Sequence, residues 1–336
     1  MADQPQPTRV IIRSMAEFLL RAVRAASRPH DGDMIRTVVF ATIQTANLNA
    51  RTLGGEGGRP ATDLDALLDA QLRPVSVNAI AKSFGIPYET TRRAAGALIE
   101  RGFCRRVSGG LIAPMAALQS PELLDVAEAV EAALGATLGR LSGIGFDFDQ
   151  LAAMADTGGH SPPPHNQPPS TRHVYAVAMD FMLRTTETLL PVWGDLTRSF
   201  IFAGAMSANA RAITYDPEQA WAYADMDAPP PDEARHPISV RALAQAVGMP
   251  FETVRRHVHR MVRDGGLEWR DGGVIVPMAF MQRESFQHHS PMIAMRFTRM
   301  VIDLKRAGYV FPLASLSPDL FNGRRLSGAA MLGGSA

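Results

Sequence analysis

Residues 74–115 and 237–278 are two copies of one 42-residue pattern, related by a constant shift of 163 without a gap. Seventeen of the 42 aligned pairs are identical, and most of the rest exchange similar residues. Any fold for this chain must therefore contain the same unit twice. The repeat reaches outward as well. FLLRA at 18–22 matches FMLRT at 181–185, and FATIQTAN at 40–47 matches FAGAMSAN at 202–209. Behind the pattern, Ser120-Pro121 pairs with Ser290-Pro291, each expected to open a helix.

Each half then reads as helix, helix, shared pattern, final helix. The first half is expected over 1–142 and the second over 172–312, joined by a proline-rich linker at 143–171 and followed by a flexible tail at 313–336. The segment GGHSPPPHNQPPST within that linker lacks the composition for regular structure. Flanking helices are expected near 9–26, 34–51, 121–141, 172–190, 195–212 and 291–308. Their apolar stripes exceed what an isolated motif could cover, so the two halves should share a core.

Within the first copy, Ser76 is a natural N-cap, and Val77, Ile80, Ala81 and Phe84 fall on one helical face. Gly85 ends that helix and Pro87 presets the next. In the second helix Thr91, Ala95, Leu98 and Ile99 form the buried stripe, matched by Val254, Val258, Met261 and Val262. Gly102 stops it. FCRRV, the pair Gly109-Gly110 and LIAPM then read as two short strands around a tight turn. Helix, turn, helix and hairpin in this order make a winged helix-turn-helix.

At about 100° per residue, the face opposite the stripe carries Glu89, Thr90, Arg93, Gly96 and Ala97, with Arg92 at its flank. The second copy presents Glu252, Thr253, Arg256, His259 and Arg260, flanked by Arg255. Tyr88 and Phe251 stand at the helix starts. Small, hydrogen-bonding and basic groups at a helix N-terminus suit base edges in a major groove. Arg105 and Arg106 in the first hairpin, and Arg270 in the second, suit phosphates or the minor groove. Residues 73–106 hold seven basic and two acidic residues, and 236–269 hold five and three, so the first copy is the more basic. This placement matters more than abundance. Of 34 basic residues only Lys82 and Lys305 are lysines, a bias expected of a GC-rich genome, and the net charge is +1.

The pattern IAxSxGIPxETxRRxxxxLxxxGxxxRxxGG, as it stands from Ile80 to Gly110, resembles the reading heads of the IclR, GntR and MarR groups of bacterial transcription regulators. The likeness covers about 42 residues per copy, roughly a quarter of the chain. The flanking helices resemble the MarR arrangement, in which terminal helices form a dimer interface. The resemblance implies a mainly α fold with small β-hairpin wings: a tandem winged helix-turn-helix pseudo-dimer. It implies a sequence-specific regulator reading an imperfect inverted repeat in double-stranded DNA, with RNA polymerase and a small-molecule effector as further partners. Arg92, Arg93, Arg255 and Arg256 would fill the reading positions. Two alternatives stay open, a plasmid-type replication initiator and a protein-binding winged-helix scaffold.

Other features argue for less. His257 and His259 are two apart and point to different sides of a helix, so no shared metal is expected there, nor at His288-His289. Cys104, the single cysteine, aligns with Leu267 and reads as a buried thiol. Trp193, Trp221 and Tyr223 suit either an effector pocket or helix packing. Phosphate loops, metal-ligand clusters and nucleophile elbows are lacking, so neither enzyme activity nor a cofactor is expected. The start shows no signal peptide, and no run of about 18 apolar residues marks a membrane span. A cytoplasmic, nucleoid-associated protein is expected.

Overall fold

A computed structural model describes residues 7–52, 72–155 and 168–311. These residues are mainly helical, with two small antiparallel hairpins. The first half contains α1 (Thr8–Ala26), α2 (Met34–Thr52), α3 (Val77–Ser83), α4 (Tyr88–Glu100), β1 (Arg105–Val107), β2 (Gly110–Ile112), α5 (Met115–Leu118) and α6 (Pro121–Gly143), followed by α7 (Phe148–Ala155). The second half contains α8 (Thr171–Trp193), α9 (Leu196–Asn209), α10 (Arg211–Tyr215), α11 (Pro217–Ala222), α12 (Val240–Val247), α13 (Phe251–Arg263), β3 (Glu268–Arg270), β4 (Gly273–Ile275), α14 (Met278–Met281) and α15 (Glu284–Arg306).

The halves interleave. Helix α1 packs on α6 of its own half and on α9 and α15 of the other, while α8 packs on α15, α6 and α2. Helices α1, α6, α8 and α15 thus share one core, crossed by contacts such as Phe18 with Phe181 and Phe146 with Phe297. Every residue of α1 except Arg21 and Arg24 is buried, three charged ones among them. Those charges are met largely from the second half. Arg9 donates to the carbonyls of Asp225 and Met226, and Arg13 to those of Tyr223 and Ala220, at the end of α11. A helix C-terminus carries partial negative charge, which suits the Arg13 guanidinium. Burial would raise the Glu17 carboxyl, but Arg140, Arg21 and the Tyr215 hydroxyl outweigh it and hold it below the usual carboxylate range.

Two sequence expectations need correction. The last helix begins at Glu284, seven residues before Pro291, so Pro291 and the His288-His289 pair lie inside α15. Buried Ser290 uses its hydroxyl on the Phe286 carbonyl, within the turn where proline cannot donate. The gap-free shift of 163 thus continues past the pattern, placing Arg283 as the counterpart of the N-cap Ser120. The stretch 143–171, read as linker, contains α7, because Phe146 and Phe148 bury themselves against Phe297 and Phe311 and Lys305 pairs with Asp149 at 2.7 Å. The densest proline run, 162–168, lies outside the described residues but for Pro168, as does the tail at 313–336. Trp193 stacks on Phe280 and packs tilted against Phe202, and Trp221 donates to the Ile144 carbonyl and stacks on Phe146. Both tryptophans are used in packing.

One asparagine in each half fastens the bundle to the hairpin. Asn47, at the matching end of FATIQTAN, accepts from the Ala113 amide and donates to the Arg73 carbonyl, each at 2.8 Å. Asn209 accepts from the Val276 amide at 2.9 Å and donates to the carbonyls of His236 and Val274. Both side chains are fully buried. Asn209→Ala should strand the Val276 amide and the His236 carbonyl and lower stability by about 2–4 kcal/mol. Chemical denaturation of the full chain measures this, and a loss below about 0.5 kcal/mol would remove the asparagine from its clamping role.

The halves solve one packing problem differently. His30 lies between Phe40 and Phe103 with ring centroids 5.2 and 5.1 Å away. Its counterpart is Trp193, and the counterpart of Phe103 is Gly266, where a Cβ would come within 2.7 Å of the Trp193 ring. A larger ring on one side is matched by a missing one on the other. Burial, with Arg101 and Arg36 nearby, pushes the His30 imidazole down to about 4. The unfolded chain binds the proton near pH 6.5, so this histidine's contribution is complete above that pH and is lost as pH falls from about 6.5 towards 4. The total is about 3 kcal/mol. Denaturation midpoints measured from pH 7.5 to 4.5 should fall less steeply in His30→Phe than in the natural chain.

Candidate nucleic-acid interface

Each repeated unit starts from a serine cap. Ser76 accepts from the Ala79 amide and Ser239 from the Ala242 amide, at 3.1 and 3.2 Å. The first helix of each unit stops where Gly85 and Gly248 take positive φ, 59° and 68°, which a side chain would oppose. Pro87 and Pro250 then stand directly before α4 and α13. The inner face of α4 buries Thr91, Ala94, Ala95 and Leu98, and that of α13 buries Val254, Val258 and Met261. Ile99 and Val262, expected in the same stripe, are half-buried at its edge.

The hairpin behind each helix gains a third pairing. Val75 bridges Leu111, and Ile238 bridges Val274, each through two backbone hydrogen bonds. This close approach explains one glycine in each unit: a Cβ on Gly110 or Gly273 would overlap the backbone of Val75 or Ile238. The registers are equivalent, with Arg106 opposite Leu111 and Trp269 opposite Val274.

The outer face of α4 carries Tyr88, Glu89, Arg92 and Arg93, all exposed, with Thr90, Gly96 and Ala97 half-buried. Arg92 makes two bonds to Glu89, at 2.7 and 2.8 Å, which draw the carboxyl below its usual range. Arg93 is 70% exposed and only brushes Glu89 at 4.0 Å. The outer face of α13 repeats this with exposed Phe251, Glu252, Arg255, Arg256, His259 and Arg260 and half-buried Thr253. Arg255 pairs with Glu252 at 2.9 Å. In both units the flanking arginine is therefore held by a glutamate one turn back, while Arg93 and Arg256 project outward.

The hairpins differ. Arg105 and Arg106 are both exposed on β1. Arg270 on β3 is paired, with Glu268 at 2.9 Å and with Asp232 at 3.9 Å. Asp232 also accepts from the Met278 amide and from Arg235. Asp232 escaped the sequence reading because it lies 38 residues before Arg270, in a segment outside the repeat. Trp269, which replaces Arg106, is 43% exposed and lies 5.4 Å from the His259 ring. Beside the turn between α12 and α13, an open depression of about 410 Å³ is lined by Arg241, Gln245, Met249 and Phe251 among others.

His257 turns away from this surface, and burial lowers its pKa. Cys104 is buried, its thiol pushed up to about 12. Among the described residues, no group of three His, Cys, Asp or Glu is placed to hold a metal ion, and no helix is long and apolar enough to cross a membrane. Comparison with family models, curated proteins and solved structures finds no match to this chain.

Proposed function

We propose that this chain is a sequence-specific, double-stranded DNA-binding regulator built as a pseudo-dimer of two winged helix-turn-helix heads. The observation that carries the reading is the doubled outer face. Arg93 and Arg256 project from equivalent helices, each beside a glutamate-held arginine and in front of a hairpin. An exposed arginine beside a well-placed hydrogen-bonding neighbour can make bidentate contact with guanine, while hairpin cations meet phosphates. The shared bundle supports the pseudo-dimer: helices from both halves pack as one core, which fixes the spacing of the two heads.

Two heads around an approximate two-fold axis would engage half-sites about 10 base pairs apart. The heads are unequal, with Gly96-Ala97 of the first corresponding to His259-Arg260 of the second, so the two half-sites should differ. In vitro selection from a random duplex library, followed by fluorescence anisotropy, tests the reading. The selected site should be an imperfect inverted repeat bound by one chain, with affinity falling steeply as salt rises. Arg93→Ala and Arg256→Ala should each cost about 1–3 kcal/mol and relax a different half-site. No enrichment, or unchanged affinity in the double variant, would overturn it.

A further inference from the structure

The second head differs from the first in chemistry as well as sequence. On β1 the hairpin offers Arg105 and Arg106, both exposed. At the register position of Arg106, β3 carries Trp269 instead. The cation of this hairpin, Arg270, is engaged by Glu268 and approached by Asp232, so the local charge is internally balanced. Trp269 is among the few large apolar side chains left exposed, at 43%. His259, on the outer face of α13, lies 5.4 Å from its ring. The counterpart of His259 is Gly96, where a Cβ would meet nothing within 4 Å. The histidine and the tryptophan thus occur together: where the first head has Gly96 and Arg106, the second has two rings that lie side by side.

We infer that the second hairpin contacts DNA through Trp269, as an aromatic surface packed on deoxyribose or wedged at a base step of the minor groove, whereas the first hairpin grips phosphates. This rests on the DNA-binding reading above and adds a division of labour to it. A phosphate contact releases counterions and is indifferent to sequence. An apolar contact to sugar or base releases none, and it favours steps that unstack easily, such as TA or CA. The first head accordingly supplies more of the salt-sensitive affinity, and the second more of the preference for deformable sequence. His259 acts as a positioning residue that holds the indole in place.

Trp269 offers its own readout. Of the three tryptophans, Trp193 is buried and the indole nitrogen of Trp221 is bonded to the Ile144 carbonyl, leaving Trp269 as the ring in solvent. Indole emission of the full chain should be quenched or shifted on adding the selected duplex, and the change should vanish in Trp269→Phe. Trp269→Ala should weaken binding roughly tenfold and flatten the base preference of one half-site, with the salt slope unchanged. Trp269→Phe should restore most of that affinity. Arg106→Ala should instead reduce the slope of log K against log salt by about 0.9. Binding with silent Trp269 emission, or with equal affinity in Trp269→Ala, overturns this inference and leaves the DNA-binding reading standing. If the natural chain binds no duplex and its exposed indole responds to a protein partner, both readings fall.

Discussion

The burial of α1 is the constraint on which the rest of the structure depends. This helix lies between the two halves, and it carries Arg9, Arg13 and Glu17 into the interior. Removing such charges from water costs several kcal/mol each unless other groups replace the water. Here the replacements come mostly from across the repeat. Carbonyls of residues 220–226 receive the two arginines, and Tyr215 donates to Glu17. Helix α1 cannot keep this environment if the halves separate. The polar contacts thus make the pairing of halves specific, and the apolar contacts of α1, α6, α8 and α15 supply the area that makes it favourable.

That shared bundle sets the position of the outer faces because each hairpin is tied to it through a buried asparagine. Asn47 and Asn209 satisfy backbone groups of the strand region that no neighbouring strand reaches. The ends of the second helices of each unit are tied as well, by opposite solutions. Arg101 bonds Asp31 in the first half, and Asp264 bonds Arg198 in the second, at 2.6 and 2.9 Å. The aligned positions 101 and 264 carry opposite charges, and each finds a partner of opposite sign in its own half. Such exchanges preserve geometry and leave the solvent-facing residues free to diverge, as the hairpins have done.

Much of this was legible in the residues. Serine caps, turn glycines, prolines and the apolar stripes of the two units all depend on contacts within about ten residues, and repetition made them easier to read. The outer-face residues followed from helical periodicity alone. Other features depended on distant partners. Pro291 signals a helix start, yet packing of Phe286 and Ser290 extends the helix through it. Residues 148–155 sit beside a proline-rich stretch, yet their phenylalanines reach Phe297 and Phe311 and hold a helix. Arg270 reads as an available cation until Asp232 and Glu268 are placed beside it.

By itself, then, the sequence determined that the chain holds two copies of a helix–turn–helix–hairpin unit and which side chains those units turn outward. These are consequences of local geometry: 3.6 residues per turn, capping, and the backbone freedom of glycine. Only the tertiary structure decided how the copies join, which charges are buried, and which exposed cations are already paired. The joining of the copies and the burial of charge rest on contacts between residues some 200 positions apart, such as Arg9 with Met226, and no periodicity encodes them. The same holds for the exchange of His30 and Phe103 for Trp193 and Gly266. Each residue looks arbitrary in the chain, and the pair makes sense only in the volume they share.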